Sequence, residues 1–416
     1  MGAVSMRLKV RQGCQNTLFE PSAPNWFELE GDSRATLVKS GHHRQTWRVN
    51  LGEEVVFAKL FDFACGGAFK RFVFSLGLSP AHREWRALLA AERRGVPAIR
   101  GLGIGVDLQY RIVLLSAGLS KAVPLSQAWE SASSNRASAL SLIDAVARLF
   151  ASAHNRGFVH RDGHPSNILV EPSSDSGWLA RFADVHGAKL FRDTASARDM
   201  IRSLAQLDHY FHRRATRSQR LRFLRTYLPL RQSVNRRGNR RAFFREMLTA
   251  LGQARKTHAA ALARQRDRRI HRNGKYFTTM TLGNGSKGTF VLQLERRHAF
   301  PESGVPDRTE REWRDILQPM AGGSAGVLTT AGLHADCSKP DGLWTQLLWS
   351  IVGTSQRREF IRSHRLRHRD VRSELILGYL EHRGPGGLID ETILLRPKCD
   401  PALGHGRVLR GEAIVE

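Results

Sequence analysis

The chain is short of cysteine, of acidic residues and of long apolar runs, and each shortage closes off a class of protein. Its cysteines, Cys14, Cys65, Cys337 and Cys399, stand far apart and form no C-x-x-C pair. That spacing excludes a zinc-ribbon site and a disulfide scaffold, and makes a reducing cytoplasm the expected compartment. No apolar run reaches the roughly 18 residues that a spanning helix needs. Residues 1–16 mix charge with polarity, so a signal peptide is not expected. Gly2 follows Met1, but Met6 stands where the myristoylation pattern has Ser or Thr. Acidic residues number 38 against 65 Lys and Arg, a formal net charge of +27. Such a bias favours anionic partners, among them phosphorylated sugars, acidic headgroups, nucleotides and nucleic acid. A solvated basic surface with no partner would carry the same composition.

The 416 residues, 41% of them hydrophobic, have room for two or three cores. Residues 1–25 read as an N-terminal arm that ends in turn formers Pro21, Ser22, Pro24 and Asn25. Residues 26–118 pattern as a small β-rich lobe. It holds an apolar strand over 55–61, a helix over 81–94 stopped by Gly95 and Pro97, and a strand over 110–115. Residues 119–235 are mainly helical, 236–275 form a basic helical linker, and 401–416 form a tail. Residues 276–400 return to β-like patterning and contain an internal echo. His82-Arg83-Glu84-Trp85 is similar to Arg357-Arg358-Glu359-Phe360, and a Val follows twelve residues after each Glu. Residues 112–115 are likewise similar to 392–395. This segment reads as a second, incomplete small lobe without catalytic function. It has no clear Lys in line with Lys59, Lys339 being the nearest. The best membrane-surface candidate is the basic-apolar stretch 68–76, for which a loop inside the small lobe is the competing reading.

One stretch carries more chemistry than the rest. His160-Arg161-Asp162 is followed five residues after the Asp by Asn167, the H-R-D-x-x-x-x-N pattern of the protein-kinase catalytic loop. Seventeen residues past Asn167 comes Asp184-Val185-His186-Gly187, where kinases carry D-F-G. A second His-Arg-Asp at 368–370 has Leu375 in place of the Asn, and reads as coincidence. Phosphoryl transfer asks a protein mainly for positioning and charge neutralisation. Lys59 is the candidate cation for the phosphates, and Glu84, twenty-five residues on, its ion-pair partner. Asp162 is the candidate base. Asn167 and Asp184 are the candidate Mg²⁺ ligands, their oxygens suiting a hard cation. The loop over residues 39–46 has one Gly where a phosphate-covering loop usually has three; Arg44 and Thr46 are its candidate phosphate contacts, and a plain β-hairpin turn is the competing reading. Leu115, on the hinge-like strand, completes the candidate nucleotide contacts. His160 and Arg161 read as supports of the loop, His164 as a hydrogen-bonding loop residue, and Asp199 as a helix residue that ties down the catalytic-loop backbone.

These residues together resemble the lipopolysaccharide kinase family of Kdo/WaaP type, within the protein-kinase-like superfamily, over roughly residues 30–230. The resemblance implies an α+β, bilobal protein-kinase-like fold, here followed by the second α+β segment. It implies ATP and Mg²⁺ as cofactors and transfer of phosphate to an inner-core sugar, heptose or Kdo. The expected place is the cytoplasmic face of the inner membrane, with peripheral contact to its acidic surface and an anionic sugar or glycolipid acceptor. Nucleic acid is not expected as a partner. Fifteen residues separate Asp184 from Asp199, with no Ala-Pro-Glu between them. That is too short for a peptide-docking activation segment, which counts against a protein acceptor. Gly163 replaces the usual apolar residue after the Asp, and Val-His-Gly replaces Phe-Gly. An atypical Ser/Thr protein kinase, a pseudokinase scaffold and an aminoglycoside- or choline-type phosphotransferase remain as alternatives.

Overall fold

A computed structural model describes residues 7–10, 18, 23–41, 44–62, 77–173, 177–231, 240–282, 285–294, 307–318, 333–371, 373–384 and 386–397. The chain forms two compact units, Met1–His258 and Ala259–Glu416. Both mix sheet and helix, so the chain is α+β. No helix among the described residues is long and apolar enough to cross a membrane. The membrane candidate at 68–76 lies outside them.

The first unit begins with β1 (Arg7–Val10), β2 (Ala35–Gly41), β3 (Arg44–Leu51) and β4 (Glu54–Phe61). Helix α1 (Pro80–Arg93) follows, then β5 (Gly101–Val106) and β6 (Ile112–Ala117). The strands form one sheet in the order β1-β5-β6-β4-β3-β2, with every pairing antiparallel. Alternation along β4 and β6 sorts their side chains between the two faces. Val56, Ala58, Leu60, Val113 and Leu115 go to one face, where Leu18, Trp26 and Leu29 cover them. Phe61, Ile112 and Leu114 go to the other, against Ala81 and Trp85 of α1. The segment read as an arm is thus partly built into the unit, through β1 on β5 and buried Leu18. Helix α1 starts where Ser79 accepts the His82 N–H, with Pro80 in the first turn, and stops at Gly95, whose φ is +63°.

Chain order continues with β7 (Val123–Pro124), α2 (Leu125–Ala132), α3 (Arg136–Asn155), β8 (Phe158–Val159), β9 (Ile168–Pro172), β10 (Trp178–Phe182) and β11 (Lys189–Leu190). Helices α4 (Ala197–Phe211) and α5 (Arg217–Tyr227) follow, and α6 (Arg240–Asp267) begins in this unit and runs past its end at His258. Helix α6 fills most of the stretch read as a basic linker. Short sheets β10-β9-β7 and β11-β8 present the loops between their strands. Helix α3 buries Leu142, Val146, Leu149, Phe150 and Ala153, the three-and-four spacing of a core-facing stripe. Its chain then turns at Gly157, φ +65°, where a Cβ would sit 2.1 Å from the Asp193 carbonyl oxygen. Only glycine fits that approach, and it sets the height at which β8 enters the catalytic loop. Trp129, Leu142, Leu207, Phe211, Leu224 and Leu251 are among the residues lining an apolar cavity of about 330 Å³ between the helices.

Two buried histidines make this unit acid-sensitive. His154 lies 2.7 Å from the Tyr227 hydroxyl, fully enclosed, and burial lowers its pKa to about 3. Burial also lowers that of His160. A depressed histidine pKa means that the unfolded chain takes up a proton below pH ~6.5 that the folded chain refuses. Stability is therefore complete above that pH and falls as pH drops, by about 1.4 kcal/mol per unit for His154 and in the same direction for His160. In urea titrations between pH 5 and 6.5, the double variant His154→Phe/Tyr227→Phe should lose one proton's worth of that slope. An unchanged slope would mean that His154 is not held neutral.

The second unit comprises β12 (Phe277–Thr281), β13 (Lys287–Val291), α7 (Glu310–Leu317), β14 (Leu333–Ser338), α8 (Leu343–Val352), α9 (Ser355–His368), β15 (Gly378–Arg383) and β16 (Ile389–Pro397). Its sheet runs β12-β13-β15-β16-β14 around Phe277, Phe290, Trp313, Phe360 and Leu394. β16 lies between β14 and β15, as β6 lies between β4 and β5. The caps of α9 repeat those of α1. Thr354 accepts the Arg357 N–H as Ser79 accepts that of His82. Asp370 takes φ +57° where Gly95 takes +63°. The N–H of Val371 returns to Leu366 as that of Val96 returns to Ala91.

Candidate active site

Alternation that buries Ala58 and Leu60 on one face of β4 sends Lys59 to the face that α1 covers. There its Nζ meets Glu84 Oε1 at 2.6 Å and Asp184 Oδ1 at 3.2 Å. Glu84, in the second turn of α1, is 1% exposed and cannot be solvated without its partner. Asp184 follows β10 in the left-handed region, φ 52° and ψ 53°, which an Asp tolerates better than most residues. Burial alone would raise its pKa, but the His186 hydrogen bond, Lys59 and Arg44 hold it well below the usual carboxylate range. The same 3.0 Å contact with Asp184 raises the pKa of His186. Glu84, Asp184 and His186 each bring a ligand atom within 4.8 Å of the others.

The catalytic loop is held from inside. His160 Nδ1 accepts the Asp162 N–H at 3.1 Å, so the ring's proton sits on Nε2, which donates to the Ala183 carbonyl at 2.9 Å. One neutral imidazole therefore fixes the backbone at Asp162 and at the residue before Asp184. Asn167 Nδ2 donates to Asp162 Oδ2 at 2.9 Å and to its carbonyl at 3.0 Å. The Ala183 N–H in turn donates to the Asn167 carbonyl at 2.8 Å. Asp162, Asn167 and Asp184 are thus positioned by one connected set of bonds, with the Asp162 side exposed.

Other expectations need adjustment. Leu115 is 0% exposed among Trp26, Val49 and Ala58, so it is a core residue and not a nucleotide contact. It sits one residue past Leu114, the register partner of Lys59, and alternation turns it to the opposite face. Asp199 does give support, but elsewhere. Its carboxylate accepts Lys189 Nζ at 3.0 Å and Ser196 Oγ at 2.7 Å. The catalytic-loop backbone is held instead by Gln206, whose Nε2 donates to the Arg161 carbonyl at 2.6 Å and whose Oε1 accepts the Gly163 N–H at 2.9 Å. Ser203 adds a bond to the His160 carbonyl at 3.1 Å. Both lie on the face of α4 that begins with Met200, a spacing signal present in the sequence but not distinctive. The Arg161 side chain is exposed, and its charge helps lower the Asp199 pKa after the Ser196 and Lys189 hydrogen bonds. His164 accepts the Ser166 N–H at 3.2 Å, the loop bond expected of it. Arg44 and Thr46 lie on β3, Thr46 directly opposite Lys59, while the tip at 42–43 is outside the described residues.

A sequence model of the Lipopolysaccharide kinase (Kdo/WaaP) family matches residues 32–227, which include Lys59, Glu84, Asp162, Asn167 and Asp184. The match spans just under half of the chain. Kdo/WaaP proteins are lipopolysaccharide kinases, so the chain is a phosphotransferase with an alcohol group as acceptor. Lipopolysaccharide core heptose(I) kinase WaaP of Pseudomonas aeruginosa is 27% identical over 206 residues, covering 45% of this chain and 76% of that kinase. A solved structure titled "WaaP in complex with acyl carrier protein" is 21% identical with a TM-score of 0.43, covering 60% of this chain and 97% of that one. The second unit lies beyond the residues that the kinase family accounts for.

Proposed function

We propose that this kinase moves the γ-phosphate of ATP to a hydroxyl of an inner-core lipopolysaccharide sugar, heptose or Kdo. The observation that carries the reading is Lys59 held between Glu84 at 2.6 Å and Asp184 at 3.2 Å. A cation fixed in that way is positioned for the α- and β-phosphates before the nucleotide arrives. Arg44 and Thr46 would add contacts along the same strand. Asp162 would hold the acceptor hydroxyl in line and take its proton. The donors suit Mg²⁺: Asp184 is kept ionised by its neighbours, and Asn167 offers an amide oxygen, both hard ligands. Bound there, Mg²⁺ would neutralise charge on the transferring phosphate. Only the short β11 and its flanking turns lie between Asp184 and α4, which leaves little chain to dock a peptide and favours a compact or membrane-tethered acceptor.

The second unit we read as a partial copy of the small lobe that has lost the chemistry. Support comes from the repeated helix caps and the repeated strand order. With Leu394 taken as the counterpart of Leu114, Asp336 stands where Lys59 stands, since each pairs across with that Leu. Lys339 is exposed at the strand end, 4.0 Å from Glu391, and is no substitute. Glu359, the counterpart of Glu84, is met instead by Arg396 at 2.9 Å, which also pairs with Asp336 and Glu374. Three acids around Arg396 leave that cation unavailable to a phosphate.

The test is Mg-ATP turnover by the full chain on extracted lipopolysaccharide core, free heptose, free Kdo and a generic protein in parallel. Phosphate should appear on the core sugar and not on the protein. Phosphate on protein, or no turnover and no ATP-dependent thermal shift, would replace this reading by a protein kinase or a pseudokinase.

A further inference from the structure

Helix α8, Leu343–Val352, is built inside out. Its polar residues Thr345, Gln346 and Ser350 are half-buried, and Ser350 Oγ accepts the Ile389 N–H of β16 at 3.0 Å. Trp349 is half-buried with them, but its other large apolar residues point away from the protein: Trp344 is 84% exposed, Ile351 75%, Leu343 74% and Leu348 57%. Leu347 and Val352 extend the same stripe, and no residue of the helix is buried. A water-facing helix of a soluble unit has the opposite arrangement, so this stripe is made for an apolar medium.

We propose that α8 is a membrane-surface anchor that seats this kinase on an anionic phospholipid bilayer. Ten residues give about 15 Å of helix, far short of a span but sufficient to lie in the headgroup boundary. Trp344, the most exposed residue of the stripe, is the type favoured at that depth. Charge complementarity selects the partner. Gly353 and Thr354 lead directly into α9, which shows Arg357, Arg358, Arg362 and Arg365 to solvent, and Lys339 is exposed just before α8. Both helices rest on β16. Cations beside an apolar stripe match acidic headgroups over acyl chains, and each adds attraction within a Debye length. A second copy of the chain fits worse. Pairing two copies along the stripe would set the α9 arginines of one copy against those of the other. The inference deepens the glycolipid reading by giving the enzyme a means to reach a lipid-anchored acceptor, and its test needs no catalysis.

The full chain would be sedimented with phosphatidylcholine vesicles with and without phosphatidylglycerol, without ATP or acceptor. It should bind the anionic vesicles preferentially, less so at high salt. The outward-facing triple variant Trp344→Gln/Leu348→Gln/Ile351→Gln should keep its melting temperature and its turnover on a soluble sugar, yet bind at least about 30-fold more weakly. Equal binding by the variant, or no preference of the native chain for anionic vesicles, would overturn the proposal. So would a native dimer that the triple variant splits, which would make the stripe an interface between copies. Loss of kinase activity with vesicle binding intact would count against the functional reading alone.

Discussion

Asp162→Ala should lower kcat for sugar phosphorylation by about 10²–10⁴-fold, the usual worth of a positioned base, while ATP affinity and melting temperature stay near native. The separation follows from where Asp162 sits. Its side chain is exposed, so truncation opens no cavity. The loop does not depend on its carboxylate, because His160 holds its N–H, Gln206 holds the flanking Arg161 and Gly163 backbone, and Asn167 still reaches the Asp162 carbonyl. Lys59 and Asp184 are untouched and should bind nucleotide as before. Asp162→Asn keeps the shape and the bond to a neighbouring amide but cannot accept a proton as a carboxylate does, and should fall as far as the alanine variant. A rate within a factor of about ten of native in both variants would remove Asp162 from the role of base.

Most of the candidate site was legible because its parts are local patterns with fixed chemistry. The spacing of Asp162 to Asn167, and the Asp-x-x-Gly at 184, are short-range signals, and the structure joins them through the Ala183 backbone. The pair Lys59–Glu84 was legible from a strand Lys followed by a mid-helix Glu, although the contact spans twenty-five residues. What escaped was whatever depended on facing. Leu115 looked available beside the hinge, but a single step of alternation from Leu114 puts it in the core. Asp199 has the right position on its helix, yet a local serine and lysine claim its carboxylate first. Gln206 carries the work expected of Asp199 from two turns further along α4, and an amide on a polar helix face advertises nothing in one sequence. β1 was hidden because a four-residue edge strand needs no strong pattern when β5 supplies its partner. Helix α8 lies in a stretch whose patterning read as β-like, and no helix was expected there. Its inverted orientation exists only in three dimensions.

Lys59→Met is expected to destabilise the first unit by about 3–5 kcal/mol, lowering its melting temperature by on the order of 10 °C, and to abolish turnover. The large stability effect comes from what is left behind. Glu84 is 1% exposed, and without the ammonium it must be buried as a bare charge or take up a proton. Asp184 loses its 3.2 Å neighbour at the same time but keeps His186. Replacing both members of the pair removes the stranded charge. Lys59→Met/Glu84→Met, of similar volume, should therefore recover most of the melting temperature, as buried ion pairs exchanged for packed apolar groups commonly do. It should not recover activity, because the cation for the phosphates is gone, a loss of roughly 10²–10³-fold or more. Stability restored without turnover separates the two jobs of one lysine: closing a buried pair and holding phosphate. A Lys59→Met variant as stable as native would show that the pair is solvated in solution, and turnover regained by the double variant would show that phosphate is held by another residue, Arg44 being the nearest cation on β3.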